Sequence, residues 1–473
     1  MKIQSLTFFG FTVAVLVLYY LLSRKKQNLL LLTASYVFYI TISYYFALIL
    51  MAVTLGNYFL GRKVYAYRDT GKKWLLAGIG FNLLALCFFK AAHFFVPDAL
   101  SLLSRLGINI QAQGLNILLP IGLSFYVLQA ISYLVDLYRK QIPGPAHFLD
   151  FALYLAYFPK LTAGPIERPR TFLAKLSRRR VVDNKILSKS FTLIIIGLIR
   201  KIVIADTLLL AIPAKLMKAP LELSPLELVT WVAVYLVGIY NDFCGYTNIV
   251  RGVSGFFGIE LSRNFINPFF SRNFTEFWNR WHVTLSLWLR DYIYFPIGRA
   301  LARRSPRRNT PANIILPPLL TMLASGLWHG FGLNFIAWGV LMGIFLIGER
   351  LLSLGRPLIA PDKRPFYRQA AAMVTVSLLT MVSLIVGIMG VSGTVRFFAG
   401  LFSNLKWVLP DSRVFIMFFP SFWLDLIQHR RKDELFFLSY PLIGRALLLA
   451  FAILTIFLFS QSRIPAPFVY QGF

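Results

Sequence analysis

Cysteines and chemical signature motifs are scarce in this sequence, and their scarcity excludes several classes of protein. The chain of 473 residues contains two cysteines, Cys87 and Cys244, which lie far apart in apolar segments. Two separated cysteines form neither a disulfide framework nor a zinc cluster. The motifs G-x-x-x-x-G-K-[ST], H-E-x-x-H and G-x-S-x-G are also absent. The sequence therefore predicts no phosphate loop, no helix-borne metal site and no serine nucleophile elbow.

Acidic residues are few as well, with 19 Asp and Glu against 49 Lys and Arg, for a formal net charge of +30. Such a charge can indicate nucleic-acid binding, but here the basic residues cluster between apolar segments, as at 24–26, 178–180 and 299–308. Basic loops of this kind follow the positive-inside rule and contact anionic lipid. We therefore expect cytoplasmic loops and no nucleic-acid partner.

Apolar residues dominate what remains. The chain is 57% hydrophobic and 14% charged, with a mean hydropathy of +0.65, which is typical of a polytopic membrane protein. The apolar segments are 5–22, 28–60, 74–92, 115–137, 186–218, 226–246, 311–330, 333–348, 369–392 and 440–460, with shorter pieces near 148–164 and 393–427. They predict about a dozen membrane-embedded helices in one domain, 1–473. The first segment lacks a small-x-small cleavage site, so we expect it to be a retained span.

Segment 151–185 departs from a simple span. Pro159, Gly164 and Pro165 interrupt it, while Lys160 and Glu167 add charge. Irregular backbone at membrane depth is tolerated only where protein or a water-filled cavity surrounds it. The segment is therefore either a re-entrant piece lining a cavity or an ordinary cytoplasmic loop, and the composition does not separate the two.

Segment 273–293 repeats aromatic residues at helical spacing, and Thr275, Asn279, His282 and Ser286 form a polar stripe on another face. Basic residues flank it. The pattern predicts an amphipathic helix along the membrane interface. Its histidine is a functional candidate, with a structural hydrogen bond as the alternative.

Two ionisable side chains lie inside apolar runs. His329 follows Trp328 in the run 321–330, and Asp242 follows the long apolar run that ends near Tyr240. An ionisable residue at membrane depth is costly and marks a candidate functional site. Histidine can exchange a proton near neutral pH, which favours catalysis for His329. Asp242 needs a partner such as an arginine or a histidine, and structural pairing is as plausible as a catalytic role.

Six short motifs occur in order along the chain: 119–126 (LPIGLSFY), 158–165 (FPKLTAGP), 240–246 (YNDFCGY), 277–282 (FWNRWH), 290–292 (RDY) and 326–330 (GLWHG). Together they resemble the membrane-bound O-acyltransferase family, and in particular its bacterial branch of alginate O-acetyltransferases and teichoic-acid D-alanyl transferases. The ending 467–473 (PFVYQGF) suits the alginate-type members. This resemblance implies an all-α polytopic membrane protein, a ring of tilted helices with re-entrant and interfacial helices around a central tunnel.

The resemblance also implies site residues. The family's histidine pair falls on His329, as the general base, and His282. Oxyanion donors could come from His282, Asn279 or the Trp328 indole. The wider candidate substrate-binding set is Asn279, Trp328, Asp242, Trp281 and Ser286. No metal site is implied.

The implied reaction is acyl transfer from a thioester to a hydroxyl, for which a positioned base is useful. The resemblance implies no bound cofactor, with an acyl thioester donor such as acetyl-CoA as substrate and an exported cell-surface polysaccharide as acceptor. An extracytoplasmic SGNH-type acyltransferase is an implied partner, and the bacterial inner membrane the implied location. D-alanyl transfer to teichoic acid, protein or lipid acylation, and transport remain alternatives. Lys160, Cys244 and Asn248 depart from the usual family residues, which leaves donor and acceptor open.

Overall fold

The computed structural model describes residues 1, 3–67, 71–105, 118–304, 310–354, 364–406, 408 and 413–461. The described residues form helices and no strand, which confirms the predicted all-α class. The motif at 467–473 lies outside the described residues. The chain divides into two compact units, Met1–Ile194 with Thr247–Ser262, and Ile195–Tyr246 with Arg263–Phe473.

The first unit contains the N-terminal helices and the ends of two helices that also belong to the second unit. Its helices are α1 (Leu6–Tyr20), α2 (Arg24–Ile40), α3 (Tyr44–Ala66), α4 (Gly71–Arg105), α5 (Leu123–Tyr138), α6 (Phe148–Ala156), α7 (Phe158–Leu161), α8 (Pro169–Ser177), the start of α9 (Asn184–Leu198) and the end of α12 (Pro225–Phe256). The helices pack around aromatic side chains such as Phe38 and Phe158, which are fully buried.

The second unit contains the rest of α9 and α12 and the C-terminal helices. A π-helical segment (Ile199–Ala205) is followed by α10 (Asp206–Ala211), α11 (Lys215–Lys218), α13 (Phe274–Trp278), α14 (Val283–Leu289), a second π-helical segment (Arg290–Tyr294), α15 (Phe295–Arg304), α16 (Pro311–His329), α17 (Leu333–Ser353), α18 (Phe366–Ser403), α19 (Arg413–Arg431) and α20 (Leu442–Gln461). The predicted apolar segment 186–218 is thus broken into several pieces.

Seven helices within the described residues are long and apolar enough to cross a membrane. They are Tyr44–Ala66, Gly71–Ala92, Pro225–Phe256, Pro311–His329, Leu333–Ser353, Phe366–Ser403 and Leu442–Ser460. Two further predicted segments form shorter apolar helices, Leu6–Tyr20 and Leu123–Tyr138. The chain is therefore a multi-pass membrane protein.

Helix starts in the second unit are set by local side-chain chemistry. At α12, the Ser224 hydroxyl accepts the Glu227 N–H at 3.3 Å while the Glu227 carboxylate accepts the Ser224 N–H at 2.9 Å, a reciprocal capping box. At α16, the Thr310 hydroxyl accepts the Asn313 N–H at 3.3 Å, and Pro311 occupies the first turn, where its missing N–H costs nothing. These caps fix where the two helices that carry site residues begin.

The proline-interrupted segment is buried inside the first unit. Every residue from 151 to 167 is buried, and the Lys160 ammonium donates to the Gln129 side chain and, at 2.6 Å, to the Tyr154 carbonyl. Burial lowers the pKa of Lys160 to about 7, although the Glu167 charge opposes this shift. Of the two interpretations left open by the sequence, an interior segment fits and an exposed loop does not.

The prediction of one continuous helix over 273–293 is wrong. Helix α13 ends at Trp278, α14 starts at Val283, and His282 between them has a left-handed backbone with φ of 42°. The left-handed residue interrupts the helix, so the four polar residues do not form one continuous stripe. His282 is separated from the other three members, which line a different cavity.

Candidate active site

His282 and His329 line one cavity of the second unit, with a volume of about 110 Å³. A cavity needs roughly 10–15 Å³ of this kind of space to hold one water. This cavity is several times larger, which is enough space for a small acyl group. Its walls are mainly aromatic and aliphatic, formed by Phe277, Trp278, Trp281, Leu285, Phe335, Trp338, Met342, Tyr235, Leu236, Ile239, Leu384 and Ile388. Thr380 and Ser383 on α18 add hydroxyl groups.

His329 is placed by the close packing of α16 against α17. A Cβ on Gly326 would lie 2.3 Å from the Phe335 carbonyl oxygen, and one on Gly339 would lie 2.6 Å from the Met322 carbonyl oxygen. Such distances are possible only for glycine, which lets the two backbones approach closely, as small residues commonly do between membrane helices. The approach brings Phe335 and Trp338 beside the last residue of α16.

Aromatic rings surround the His329 imidazole. Trp328 and Trp338 lie edge-on to it, with ring centroids at 4.8 and 5.3 Å, and Phe335 stacks near it at 6.5 Å. Trp328 also contacts the His282 ring edge-on at 6.1 Å. Trp328 therefore contacts both histidines, although it does not line the cavity.

His282 is held in its left-handed conformation by hydrogen bonds from the next two residues to Asn264. The Val283 N–H donates to the Asn264 carbonyl at 2.9 Å, and the Thr284 hydroxyl donates to the Asn264 side-chain oxygen at 2.7 Å. Left-handed backbone is costly for a residue with a Cβ and persists where surrounding structure imposes it, often at functional sites. The turn directs the imidazole into the cavity.

The His282 imidazole is neutral at physiological pH. The side chain is 1% exposed, and burial lowers its pKa to about 3, since removal from water disfavours the charged form. Phe243 packs edge-on to its ring at 4.9 Å. A neutral imidazole can both donate and accept a hydrogen bond, which suits an orienting or oxyanion-stabilising role.

A second, larger cavity of about 430 Å³ in the same unit is more polar. Its polar lining includes Thr275, Asn279, Ser286, Arg290, Tyr294, Thr321, Glu349, Arg350 and Ser353. The two remaining polar-stripe candidates, Asn279 and Ser286, therefore line this second cavity and not the histidine cavity. Trp281 lines the histidine cavity.

Trp278 lines both cavities. Its indole Nε1–H is buried and makes no hydrogen bond within the described part of the chain. A buried donor without a partner carries an energetic penalty of about 1–3 kcal/mol, and native structures seldom keep one without a reason. Trp278 thus offers a spare donor to a ligand in either cavity.

Asp242 is fully buried and does not line either cavity. Its carboxylate forms an ion pair with Lys201, whose ammonium also lies 3.8 Å from Asp206. The partner is thus a lysine, where an arginine or histidine had been expected. This geometry favours the structural interpretation of Asp242.

The neighbouring residue Arg200 extends this buried ionic cluster. Its guanidinium pairs with Asp425 and donates to the Asn241 side chain at 2.9 Å. Arg200 and Lys201 both lie in the first π-helical segment, and such segments are frequent at functional sites. Both residues lie in the predicted apolar segment 186–218. Their charge inside that segment was the feature of the sequence that could have identified them as candidate site residues.

Other site residues had no usable signal in the sequence. Asn264 lies in a loop far from any motif, and its role depends on the turn at His282. Thr380 and Ser383 occur in the long apolar α18, where each hydroxyl also donates to a carbonyl of its own helix. Their contribution to the cavity depends on tertiary packing alone.

The fold and this site define a multi-pass membrane protein with a buried, histidine-bearing cavity. Residues 5–391 match the membrane-bound O-acyltransferase family. The chain belongs to this family, as its motifs indicated, and is an O-acyltransferase.

Several relatives share most of the chain. A protein of Pseudomonas putida named probable alginate O-acetylase is 38% identical over 340 residues, covering 71% of this chain and 68% of the relative. A protein of Azotobacter vinelandii with the same name is 36% identical over 401 residues, covering 83% and 76% respectively. A peptidoglycan O-acetyltransferase of Helicobacter pylori is 31% identical over 368 residues, covering 71% and 67%.

Proposed function

We propose that this protein moves an acetyl group from a cytoplasmic thioester, acetyl-CoA, across the bacterial inner membrane for O-acetylation of an exported cell-surface polysaccharide. The observation that carries the proposal is the presence of His282 and His329 in the wall of one small cavity. The alginate and peptidoglycan O-acetyl-transferring relatives support acetyl as the acyl group.

His329 is the proposed general base. The acceptor hydroxyl donates its proton to the imidazole as its oxygen attacks the thioester carbonyl carbon. The C–S bond then breaks, and the departing thiolate takes up the proton. A positioned base of this kind contributes about 10²–10⁴-fold to the rate, and the aromatic walls exclude the water that would otherwise hydrolyse the thioester.

The negative charge that develops on the carbonyl oxygen requires a hydrogen-bond donor. His282 and the Trp278 indole N–H both lie in the cavity wall, and the indole N–H is a buried donor with no protein partner in the described chain. We assign Trp278 as a donor to the thioester carbonyl. Asn279, a donor candidate from the sequence, lines the second cavity instead.

The second cavity is the proposed donor-binding vestibule. Arg290 and Arg350 in its wall suit the phosphate groups of a coenzyme A thioester. Trp278 lies in the walls of both cavities. A thioester whose coenzyme A part is bound in the second cavity therefore has its acyl group close to His282 and His329. The acceptor reaches His329 from the opposite side, either as the polymer or as a hydroxyl of an SGNH-type partner protein.

The kind of ester found on the exported polysaccharide distinguishes the proposed function from its alternatives. Deleting the gene for this chain should remove acetyl esters from the exported polysaccharide, and restoring the full chain should return them, as measured by mass spectrometry of the purified polymer. Loss of D-alanyl esters with acetyl esters intact would instead assign the alternative, D-alanyl transfer. No change in any ester would refute acylation of a surface polymer.

A further inference from the structure

The first unit contains a small cavity with charged residues in its wall that the acyl-transfer proposal does not use. It has a volume of about 100 Å³ and lies between the start of α9, the end of α12 and the loop that follows α12. Its polar and small lining residues are Lys189, Ser190, Arg251, Glu260, Gly255 and Gly258, and aliphatic side chains complete the wall.

The cavity is surrounded by more positive than negative charge. Arg251 is 7% exposed, and its guanidinium donates to the Asn248 side chain at 3.2 Å. Lys189 pairs with the Glu260 carboxylate, and the Lys175 ammonium donates to the Glu260 carbonyl at 2.6 Å. Three cationic side chains therefore lie close to Glu260, two of them in the cavity wall, and the electrostatic potential there is positive.

The pKa of Glu260 reports this positive potential. It is lowered from its ordinary value, first by the hydrogen bond from Lys189 and further by the charges of Lys189, Lys175 and Arg251, although partial burial opposes the shift. An anion placed beside the same three cations experiences the same attraction. Glu260 is therefore the internal anion against which an incoming anion competes.

Glycines keep the cavity open at its polar end. A Cβ on Gly255 would lie 2.2 Å from the Ser190 hydroxyl oxygen, and Gly258 has a left-handed backbone with φ of +68°. A larger residue at the first position would displace the Ser190 hydroxyl, and the second conformation favours glycine. The two glycines thus leave room in the cavity beside the Ser190 hydroxyl and the charged groups of Lys189 and Arg251.

The cavity lies where the apolar parts of α9 and α12 end and charged residues begin. Lys189 separates the polar start of α9 from its apolar end, and Leu187 and Phe191 on either side are 39% and 44% exposed. Arg251 lies near the end of the apolar helix Pro225–Phe256. Basic pockets between helices at this level are typical sites for anionic lipid head groups.

We infer that this cavity binds the phosphate of an anionic phospholipid. Lys189 and Arg251 neutralise the phosphate, and the Ser190 hydroxyl donates a hydrogen bond to it. The acyl chains of the lipid lie along the exposed side chains Leu187 and Phe191. Since the surrounding stretch 170–189 is strongly basic, positive-inside statistics assign the site to the cytoplasmic leaflet.

The inference is tested by titrating the detergent-purified full-length protein with dioctanoyl phosphatidylglycerol and following its thermal unfolding. The lipid should raise the unfolding temperature of the wild type. Lys189→Gln should weaken the apparent affinity by about fivefold, the loss expected for one cation near a head group. Lys185→Gln, which removes an equal charge from an exposed position on the same helix outside the cavity, should leave the affinity unchanged. Glu260→Gln should strengthen binding, because it removes the competing carboxylate.

Two comparisons separate the lipid from other sources of phosphate. Dioctanoyl phosphatidylcholine, which has the same phosphate but no net charge, should raise the unfolding temperature much less. An equal shift with glycerol 1-phosphate would overturn the lipid assignment in favour of a soluble phosphate. Equal weakening by Lys189→Gln and Lys185→Gln, or weaker binding by Glu260→Gln, would overturn the site itself.

Discussion

The side-chain oxygen of Asn264 accepts a hydrogen bond from the Thr284 hydroxyl at 2.7 Å, two residues beyond the left-handed His282. Asn264 is 1% exposed and its backbone carbonyl accepts the Val283 N–H at 2.9 Å. The loop that carries Asn264 therefore fixes the turn that aims His282 into the histidine cavity. This relationship makes Asn264 a positioning residue for the site.

Removing the Asn264 side chain should loosen the turn, because only the backbone hydrogen bond from the Val283 N–H remains. Asn264→Ala should therefore lower kcat per folded molecule by about tenfold, less than the roughly 10²-fold that a misplacement of about 1 Å can cost. Thr284→Ser, which keeps the hydroxyl donor, should retain most activity. The measurement is acetyl transfer by purified protein, normalised to the folded fraction. An unchanged kcat in Asn264→Ala would show that the clamp is dispensable.

Substituting His282 should reduce acyl transfer without abolishing it, because an orienting or oxyanion-stabilising group is less indispensable than the base. His282→Ala should therefore lose more activity than His282→Gln, whose amide remains a neutral donor. Turnover is measured for both variants at equal protein abundance. Full turnover in His282→Ala would make the residue structural only.

The buried imidazole also predicts an acid sensitivity of folding. Its pKa is about 3 in the folded protein against 6.5 ordinarily, so below pH 6.5 the unfolded chain binds a proton that the folded chain does not. The free energy of unfolding should then decrease as pH falls, by at most about 1.4 kcal/mol per pH unit from this group. Melting temperatures between pH 7 and pH 5 should fall less steeply for His282→Gln than for the wild type. Parallel slopes would contradict the assignment.

The spare indole donor of Trp278 should matter for chemistry. Trp278→Phe keeps an aromatic ring and removes only the N–H, and it should lower kcat by about 10- to 100-fold if that donor stabilises the oxyanion. Trp288→Phe removes an indole that lines neither cavity and serves as the control. Equal, small effects of the two substitutions would remove Trp278 from the reaction.

Orientation is testable with single cysteines. Positive-inside statistics place the basic region around α15 in the cytoplasm and the loop at 219–225 outside. Cysteines introduced at the exposed residues Arg304 and Leu221, in a variant lacking Cys87 and Cys244, should label from opposite sides with an impermeant thiol reagent. Labelling of both from one side would reverse the proposed path of the acyl group.

The sequence predicted the helical class because a long apolar run needs no tertiary context to indicate a span. An imidazole inside such a run also made His329 a candidate, whereas His282 was a candidate because of the polar stripe and the family resemblance. Helix α16, predicted at 311–330, begins at Pro311 and ends at His329. Gly330, the next residue, has extended backbone.

The rest of the site depended on contacts between distant segments. The turn at His282 is invisible to helical periodicity, because a single left-handed residue leaves the apolar repeat on each side intact. Sequence placed Asn279 and Ser286 beside His282 on one stripe, yet the turn assigns them to another cavity. Trp278 was identified only as one aromatic residue among several, and its buried N–H became apparent only with packing.

The central claim is that His329 is the base of an acyl-transfer site. The direct measurement is the acetyl-ester content of the exported polysaccharide in cells whose only copy of this chain carries His329→Ala, with the variant present in the membrane at wild-type abundance. His429→Ala, a substitution of a histidine that lines neither cavity, is the control. We predict acetyl esters at background level for His329→Ala and at wild-type level for His429→Ala. Wild-type esterification by the His329→Ala variant would contradict the account.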